Sequence, residues 1–268
     1  MNLDSYLQRI SYYGALDTSL PTLYAIHHAH LTTLTYENLD IHLGRSLLLN
    51  VNHSYRKIVE EGRGGWCYEM NGVLAWALQA LGFNITLLGA AVNRARLGDL
   101  AQGNHLMLLA TVEDKHYVLD AGFGNGILEP MPLQAGEITQ GWMQHELLYD
   151  GERWHYQNNS FNQVTFDFTL QPHHYEDFEE QCHWLQTSVE SGFVRRSVCQ
   201  RYIKDGTLLE LRDATYREYR DSGTMEQVVT AAEDYKHLLH NQFALNLSED
   251  EAMRLWRGVS EREKARVV

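Results

Sequence analysis

The chain has 268 residues, 22 of them basic and 35 acidic for a net charge of −13, with three cysteines and four prolines. Its 44% hydrophobic and 11% aromatic content can fill a core without disulfide staples and excludes wholesale disorder. The acidic balance excludes a nucleic-acid footprint, and no apolar run is long enough to span a bilayer.

In chain order, the first 85 residues read as helices. Leu3, Leu7 and Ile10 form an i, i+4, i+7 stripe, and Ser19 with Pro21 starts a second helix through Leu23, Ile26 and His30. Asn52 is the expected cap of a third, short helix through Ile58 and Val59. A fourth follows Gly64-Gly65, with Leu74, Ala77, Leu78 and Leu81 on one face and Gly82 closing it. Short β runs follow. Stretches 85–92, 105–112 and 116–120 read as strands, the last two joined as a hairpin about Glu113-Asp114-Lys115. Asp150-Gly151 predicts a two-residue hairpin turn between 146–149 and 153–156. Alternation of Val164, Phe166 and Phe168 predicts a strand over 164–170, and a helix is expected to follow Pro172 and reach about Gln186. Last, 193–203 and 207–212 read as a hairpin across Lys204-Asp205-Gly206, and helices are expected over 225–243 and 248–256.

The charge is unevenly spread. Residues 1–85 carry −2, residues 86–190 carry −11 and residues 191–268 are neutral. The run Tyr175-Glu176-Asp177-Phe178-Glu179-Glu180 reads as a solvated helix face. An anionic ligand is expected to avoid the open surface of the middle third and to use local donors or the balanced C-terminal third. The opening Met1-Asn2-Leu3-Asp4 lacks the basic and apolar regions of a secretory signal. Three cysteines cannot all pair, which fits a reducing, cytoplasmic compartment and makes a reactive thiol worth seeking.

The densest pattern is Arg63-Gly64-Gly65-Trp66-Cys67-Tyr68-Glu69-Met70-Asn71-Gly72. The glycines permit a tight turn and a close approach, and a helix starting near Cys67 would favour its thiolate through the helix dipole and backbone N–H groups. Cys182 lies in an acidic helix and Cys199 in a strand run, so both read as bystanders. A nucleophilic thiol needs a base and a group that orients the base. His105 opens one strand of the hairpin and Asp120 ends the other, so the two are expected to lie nearly opposite each other at its open end. Read by themselves, these residues also allow a buried core cysteine, against which the flanking glycines and helix start weigh, a cysteine hydrolase with water as acceptor, or a zinc-stabilised binding protein. No Cys-x-x-Cys spacing supports the last.

The stretch Arg63-Gly64-Gly65-Trp66-Cys67-Tyr68-Glu69-Met70-Asn71 resembles the signature of the arylamine N-acetyltransferases. So do Tyr36-Glu37-Asn38-Leu39-Asp40, Asn104-His105 and Asp120-Ala121-Gly122-Phe123-Gly124, in the family's order and over nearly the whole chain. The resemblance implies an α+β multidomain fold with a papain-like cysteine triad arrangement. A helical bundle over 1–85 would carry the nucleophile, a central β-barrel over 86–190 His and Asp, and 191–268 would form an α/β lid. It implies Cys67 as the acetyl-accepting nucleophile, His105 as its base and Asp120 as the residue holding the imidazole, with Arg63 and Glu37 supporting the site. Acetyl-CoA would be the co-substrate, with no metal, and an aromatic amine or hydrazine the acceptor, in a ping-pong reaction of xenobiotic metabolism. Tyr36 and Phe123 are candidate pocket walls, and Gly103 and Gly124 candidate contacts for the pantetheine and phosphates. A related amide-forming, polyketide-releasing enzyme is an alternative. This chain departs from the family pattern in reading Thr35-Tyr36 where Pro-Phe is usual, and in Gly192 where histidine is common.

Overall fold

The computed structural model describes residues 1–158 and 164–267. The helical start is as read. α1 (Leu3–Arg9) is capped by Asn2, whose side chain accepts the Ser5 N–H, and α2 (Leu20–Thr33) begins after Ser19 with Pro21 in its first turn. Two short elements that no periodicity marks follow, β1 (Tyr36–Glu37) and α3 (Leu39–His42). α4 (Val51–Tyr55) is capped by Asn50, not Asn52: the Asn50 carboxamide accepts the His53 N–H at 3.0 Å, which sets the start two residues earlier. The chain continues as a π-helical turn over Arg56–Glu60. α5 (Cys67–Ala80) is buried on almost every side, and Gly82 follows its end at φ +98°.

An eight-stranded antiparallel sheet then curls into a nearly closed barrel. It opens with β2 (Asn84–Val92), and a short α6 (Arg94–Leu97) leads to β3 (His105–Val112) and β4 (Lys115–Leu119). The turn between β3 and β4 holds two residues rather than three. Glu113 and Asp114 both take positive φ, and Val112 already pairs with Lys115. β5 (Met131–Pro132), β6 (Gly136–Gln140), β7 (Met143–Tyr149), β8 (Trp154–Gln157) and β9 (Phe166–His173) complete the sheet. The β7–β8 loop is four residues, not two. The Asp150 carboxylate accepts the N–H groups of Glu152 and Arg153, and Tyr149↔Trp154 is the last pair.

A 3₁₀ turn at Tyr175–Phe178 leads into α7 (Glu179–Thr187). The expected strand at Phe193 is instead the short helix α8 (Gly192–Arg195), because the Ser191 hydroxyl accepts the Phe193 N–H and caps it. β10 (Val198–Tyr202) and β11 (Leu208–Arg212) form the expected hairpin, joined by β12 (Thr215–Arg220) and β13 (Gly223–Val228). The expected helix at Met225 is therefore a strand. β13 is exposed throughout, so it carries no inward-outward alternation to reveal it. α9 (Ala232–His237) and α10 (Glu249–Val267) pack on the sheet.

The sheet orders run β5-β4-β3-β2-β9-β8-β7-β6 and β1-β10-β11-β12-β13. β1, from the N-terminal region, thus forms the edge of the C-terminal sheet, pairing Tyr36 with Gln200 and Glu37 with Cys199. Among the described residues, no helix is long and apolar enough to cross a membrane.

Candidate active site

Two close approaches bring the motifs together. Gly65 donates its N–H to Thr35 O at 3.2 Å and accepts the Glu37 N–H at 2.9 Å. A Cβ on Gly64 would sit 2.0 Å from Thr35 O, so only glycine lets this loop lie against β1. The loop delivers Cys67 as the first residue of α5. From the barrel, the segment after β4 meets the same helix start. A Cβ on Gly122 would fall 2.5 Å from Cys67 Cα and 2.6 Å from Asn71 Nδ2.

His105 Nε2 and Asp120 Oδ2 are 2.7 Å apart, and both side chains are buried. They do not face each other across the hairpin as expected. Leu108 pairs with Leu119, so Asp120 runs on opposite Met107, and His105 reaches it diagonally from two residues along the same face. The other carboxylate oxygen of Asp120 accepts Asn71 Nδ2 at 3.0 Å and the Gly122 N–H at 2.8 Å. Asn71 also donates to Leu106 O and accepts the Ala121 N–H. Behind them the buried His27 accepts the Asp120 N–H at Nε2 and faces Leu128 O through Nδ1, each at 3.3 Å. Burial lowers His27 to about 4, so the ring is neutral at neutral pH.

Neither Asn71 nor His27 is marked as functional by the sequence reading. Asn71 lies four residues after Cys67, one helical turn along the same face, which is a legible signal; His27 carries none.

The thiol itself is not a ready thiolate. Burial pushes Cys67 up, and hydrogen bonds from the backbone of Leu106 and Tyr68 offset this only in part. The helix start does not outweigh desolvation. Cys182 and Cys199 are free and buried as well; burial pushes Cys182 up to about 12 and Cys199 well above its ordinary value.

Arg63 and Glu37 belong to a larger buried cluster. Arg63 reaches Glu37 at 2.9 Å and Asp40 at 3.1 Å, while Lys57 Nζ lies 2.9 Å from both Asp40 and Glu69. Burial works against the charge on Asp40, but Lys57 and Arg63 outweigh it and hold the carboxyl below its usual range. Burial raises Glu69, which Lys57 only partly counters. Glu69 accepts the Trp66 N–H directly before Cys67, and Glu37 accepts the Leu39 N–H. The cluster thereby fixes both ends of the loop that presents Cys67.

A cavity of about 980 Å³ opens onto Cys67 and His105, with Tyr36 and Phe123 on its walls. Phe123 stacks edge-on to His105 with ring centroids 5.3 Å apart. Gly103 and Gly124 do not line it: the Gly103 carbonyl accepts the Tyr68 hydroxyl, and Gly124 backs onto Gln200 and Tyr36. The two departures from the family pattern, Tyr36 and Gly192, both face this cavity. Among the described residues no group of three or more His, Cys, Asp or Glu is arranged to hold a metal ion.

Residues 19–252 match the family model described as N-acetyltransferase. The chain is 32% identical over 278 residues to the arylamine N-acetyltransferase pineal gland isozyme NAT-10 of Gallus gallus, covering 92% of this chain and 95% of that protein. It is 30% identical over 275 residues to arylamine N-acetyltransferase 1 of Homo sapiens, with the same coverage. Its fold matches the arylamine N-acetyltransferase of Salmonella typhimurium with a TM-score of 0.88 at 25% identity, over 96% of this chain and 98% of that one. The Mycobacterium marinum enzyme in complex with CoA matches with a TM-score of 0.88 at 25% identity, over 97% and 99% of the two chains. With its motifs in family order and its fold shared end to end, the chain belongs to the arylamine N-acetyltransferases and is an acetyltransferase.

Proposed function

We propose that the protein moves an acetyl group from acetyl-CoA to arylamines or arylhydrazines through a thioester on Cys67. The observation that carries this reading is the buried 2.7 Å His105–Asp120 bond at the wall of a cavity onto which the Cys67 thiol also opens. Asp120 fixes the imidazole through Nε2, which leaves Nδ1 to take the thiol proton. Because burial alone keeps Cys67 protonated, the thiolate arises as an ion pair with the imidazolium. The thiolate attacks the thioester carbonyl, with the Cys67 N–H at the helix start as oxyanion donor, and CoA departs as a thiol carrying the proton from His105. The acceptor nitrogen then attacks the acetyl-cysteine, His105 takes its proton and returns it to the departing sulfur.

The donor and acceptor classes rest on the relatives' names and on the Mycobacterium marinum complex with CoA. Arg96, Arg195 and Arg196 are exposed at the cavity and supply cations for the phosphates, a role the reading moves away from Gly103 and Gly124. Arg63 and Glu37 act as supports that hold the Gly64-Gly65 loop. In the same reading residues 1–85 carry the nucleophile, 86–190 carry His105 and Asp120, and 191–268 cover the site.

The test is intact-mass spectrometry after brief mixing with acetyl-CoA. One acetyl-sized increase is expected on Cys67, discharged by an added arylamine. No adduct on the wild type, or an adduct that survives in Cys67→Ser, overturns the mechanism.

A further inference from the structure

The segment that follows Asp120 contributes Phe123 and Asn125 to the lining of the cavity, and it is held from two sides. From the C-terminal sheet the Tyr202 hydroxyl donates to Gly126 O at 2.7 Å, and from the end of β8 the Asn158 carboxamide donates to Asn125 O at 3.3 Å. Asn158 closes a longer row of contacts that starts inside the barrel. Tyr156 on β8 pairs with Leu147 on β7, and His145, two residues along β7 on the same face, reaches the phenol diagonally. Its Nδ1 lies 2.9 Å from the Tyr156 oxygen, and both side chains are buried.

The direction of each hydrogen bond follows from the far end of the row. Asn158 turns Nδ2 to Asn125 O, so its Oδ1 is the atom 2.9 Å from the phenol and accepts the Tyr156 O–H. The phenol oxygen then accepts from His145, whose Nδ1 carries the one hydrogen of a ring that burial keeps neutral, its value lowered to about 4. His145, Tyr156 and Asn158 thus each donate to the next, and the last donates to the main chain of the cavity wall. The Tyr156 ring reaches the same wall by packing. It stacks on Phe166 with centroids 4.6 Å apart and meets Phe123 edge-on at 6.1 Å, and both of those rings lie against His105. One buried tyrosine therefore acts on the backbone of this wall through its hydroxyl and on its side chain through its ring.

We propose that Tyr156, oriented by His145 and Asn158, is a positioning residue that sets the cavity wall of Phe123 and Asn125 against which the acceptor binds. This rests on the acyl-transfer reading of the site and deepens it by naming what holds the acceptor side in place. An aromatic acceptor whose nitrogen reaches Cys67 lays its ring against Phe123, whereas the donor presents only a narrow thioester there. The His105–Asp120 pair has separate supports in Asn71 and the Gly122 N–H. Breaking the row should therefore loosen the acceptor wall and leave the acyl-accepting step intact.

The test uses Tyr156→Phe, which deletes the central hydroxyl and keeps the ring, with 4-methoxyaniline as acceptor. KM for the arylamine should rise about threefold to tenfold, the size of one lost ordering hydrogen bond, with kcat within about twofold. Loading of Cys67 by acetyl-CoA, followed by mass, should be unchanged. His145→Leu removes the first donor and should move KM the same way by less. His145→Asn, which restores an N–H near the Nδ1 position, should bring it back. Asn158→Ala cuts the row at its half-buried end and carries the same comparison if Tyr156→Phe does not fold. Calorimetric binding of 4-methoxyaniline to unacetylated protein repeats the measurement without turnover, so a failure of the proposal is distinguishable from the absence of a thioester. Unchanged acceptor KM and affinity in the folded variants overturn the proposal. So does slowed loading with the acceptor KM intact, which would assign the row to the base His105.

Discussion

Asp120 has every polar atom of its carboxylate committed, one oxygen to His105 and the other to Asn71 and the Gly122 N–H. Asn71 is therefore the residue on which the orientation of the pair rests. Asn71→Ala leaves Leu106 O, Ala121 N–H and one Asp120 oxygen short of partners, at a cost of about 2–4 kcal/mol in unfolding free energy, since unsatisfied buried groups carry their full desolvation penalty. Denaturant titration measures that cost, and acetyl loading of Cys67 should slow markedly in the protein that remains folded. His27 adds a pH signature. Its folded value of about 4 lies below the ordinary histidine value, so the unfolded chain takes up the proton first as pH falls. The stability this contributes is whole above about pH 6.5 and declines from there to pH 4, by about 3 kcal/mol for a shift of that size. His27→Gln should flatten that part of the stability profile.

At the scale of elements, the site depends on two loops that press on a helix start, and glycine is required only where backbone meets backbone. Gly122→Ala would push a methyl group into Cys67 Cα, so both melting temperature and activity should fall. Gly192→Ala, with nothing within 4 Å of the new Cβ, should leave the melting temperature within about a degree, a surface change of small cost. Differential scanning fluorimetry of the pair checks both. Elements with a buried face were legible in the sequence. α1, α2, α5, β2, β3 and the β10–β11 hairpin were legible because their apolar residues meet the core, on one side for some and on nearly every side for α5 and β3. β13 has no buried side, and β1 is too short to have a period, so neither was visible. The Cys67, His105 and Asp120 positions were readable from motifs, and the helical spacing of Asn71 was there to be read. Lys57 was not, and Asp40 was visible only as part of a motif and not as an ionic partner, because their contacts lie on separate elements that only tertiary packing brings together.

Across the whole molecule, the net acidity coexists with a buried cluster of three carboxylates and two cations. Lys57→Met would strip the buried Glu69 of its cation and leave Glu37 to Arg63 and Asp40 to Arg63 and Arg45, a loss of about 3–5 kcal/mol, as for a broken buried ion pair. The uncompensated carboxyls would then have raised folded values and take up protons before the unfolded chain does. Lowering the pH towards 5 should therefore narrow the gap between variant and wild type, which chemical denaturation at two pH values measures. In the wild type Asp40 runs the other way. Its depressed value contributes stability that is present above the unfolded carboxyl value and lost as pH falls through the folded one. β1 carries a different consequence. It lies between Gly65 on one side and β10 on the other, so the wall beside Cys67 is completed by residues from far down the chain. During synthesis the Cys67 loop leaves the ribosome long before Gln200 exists to pair with Tyr36. A nascent chain, or one cut short before β10, carries the cysteine without its finished pocket, and competence for acyl transfer arrives only when the late strands have docked.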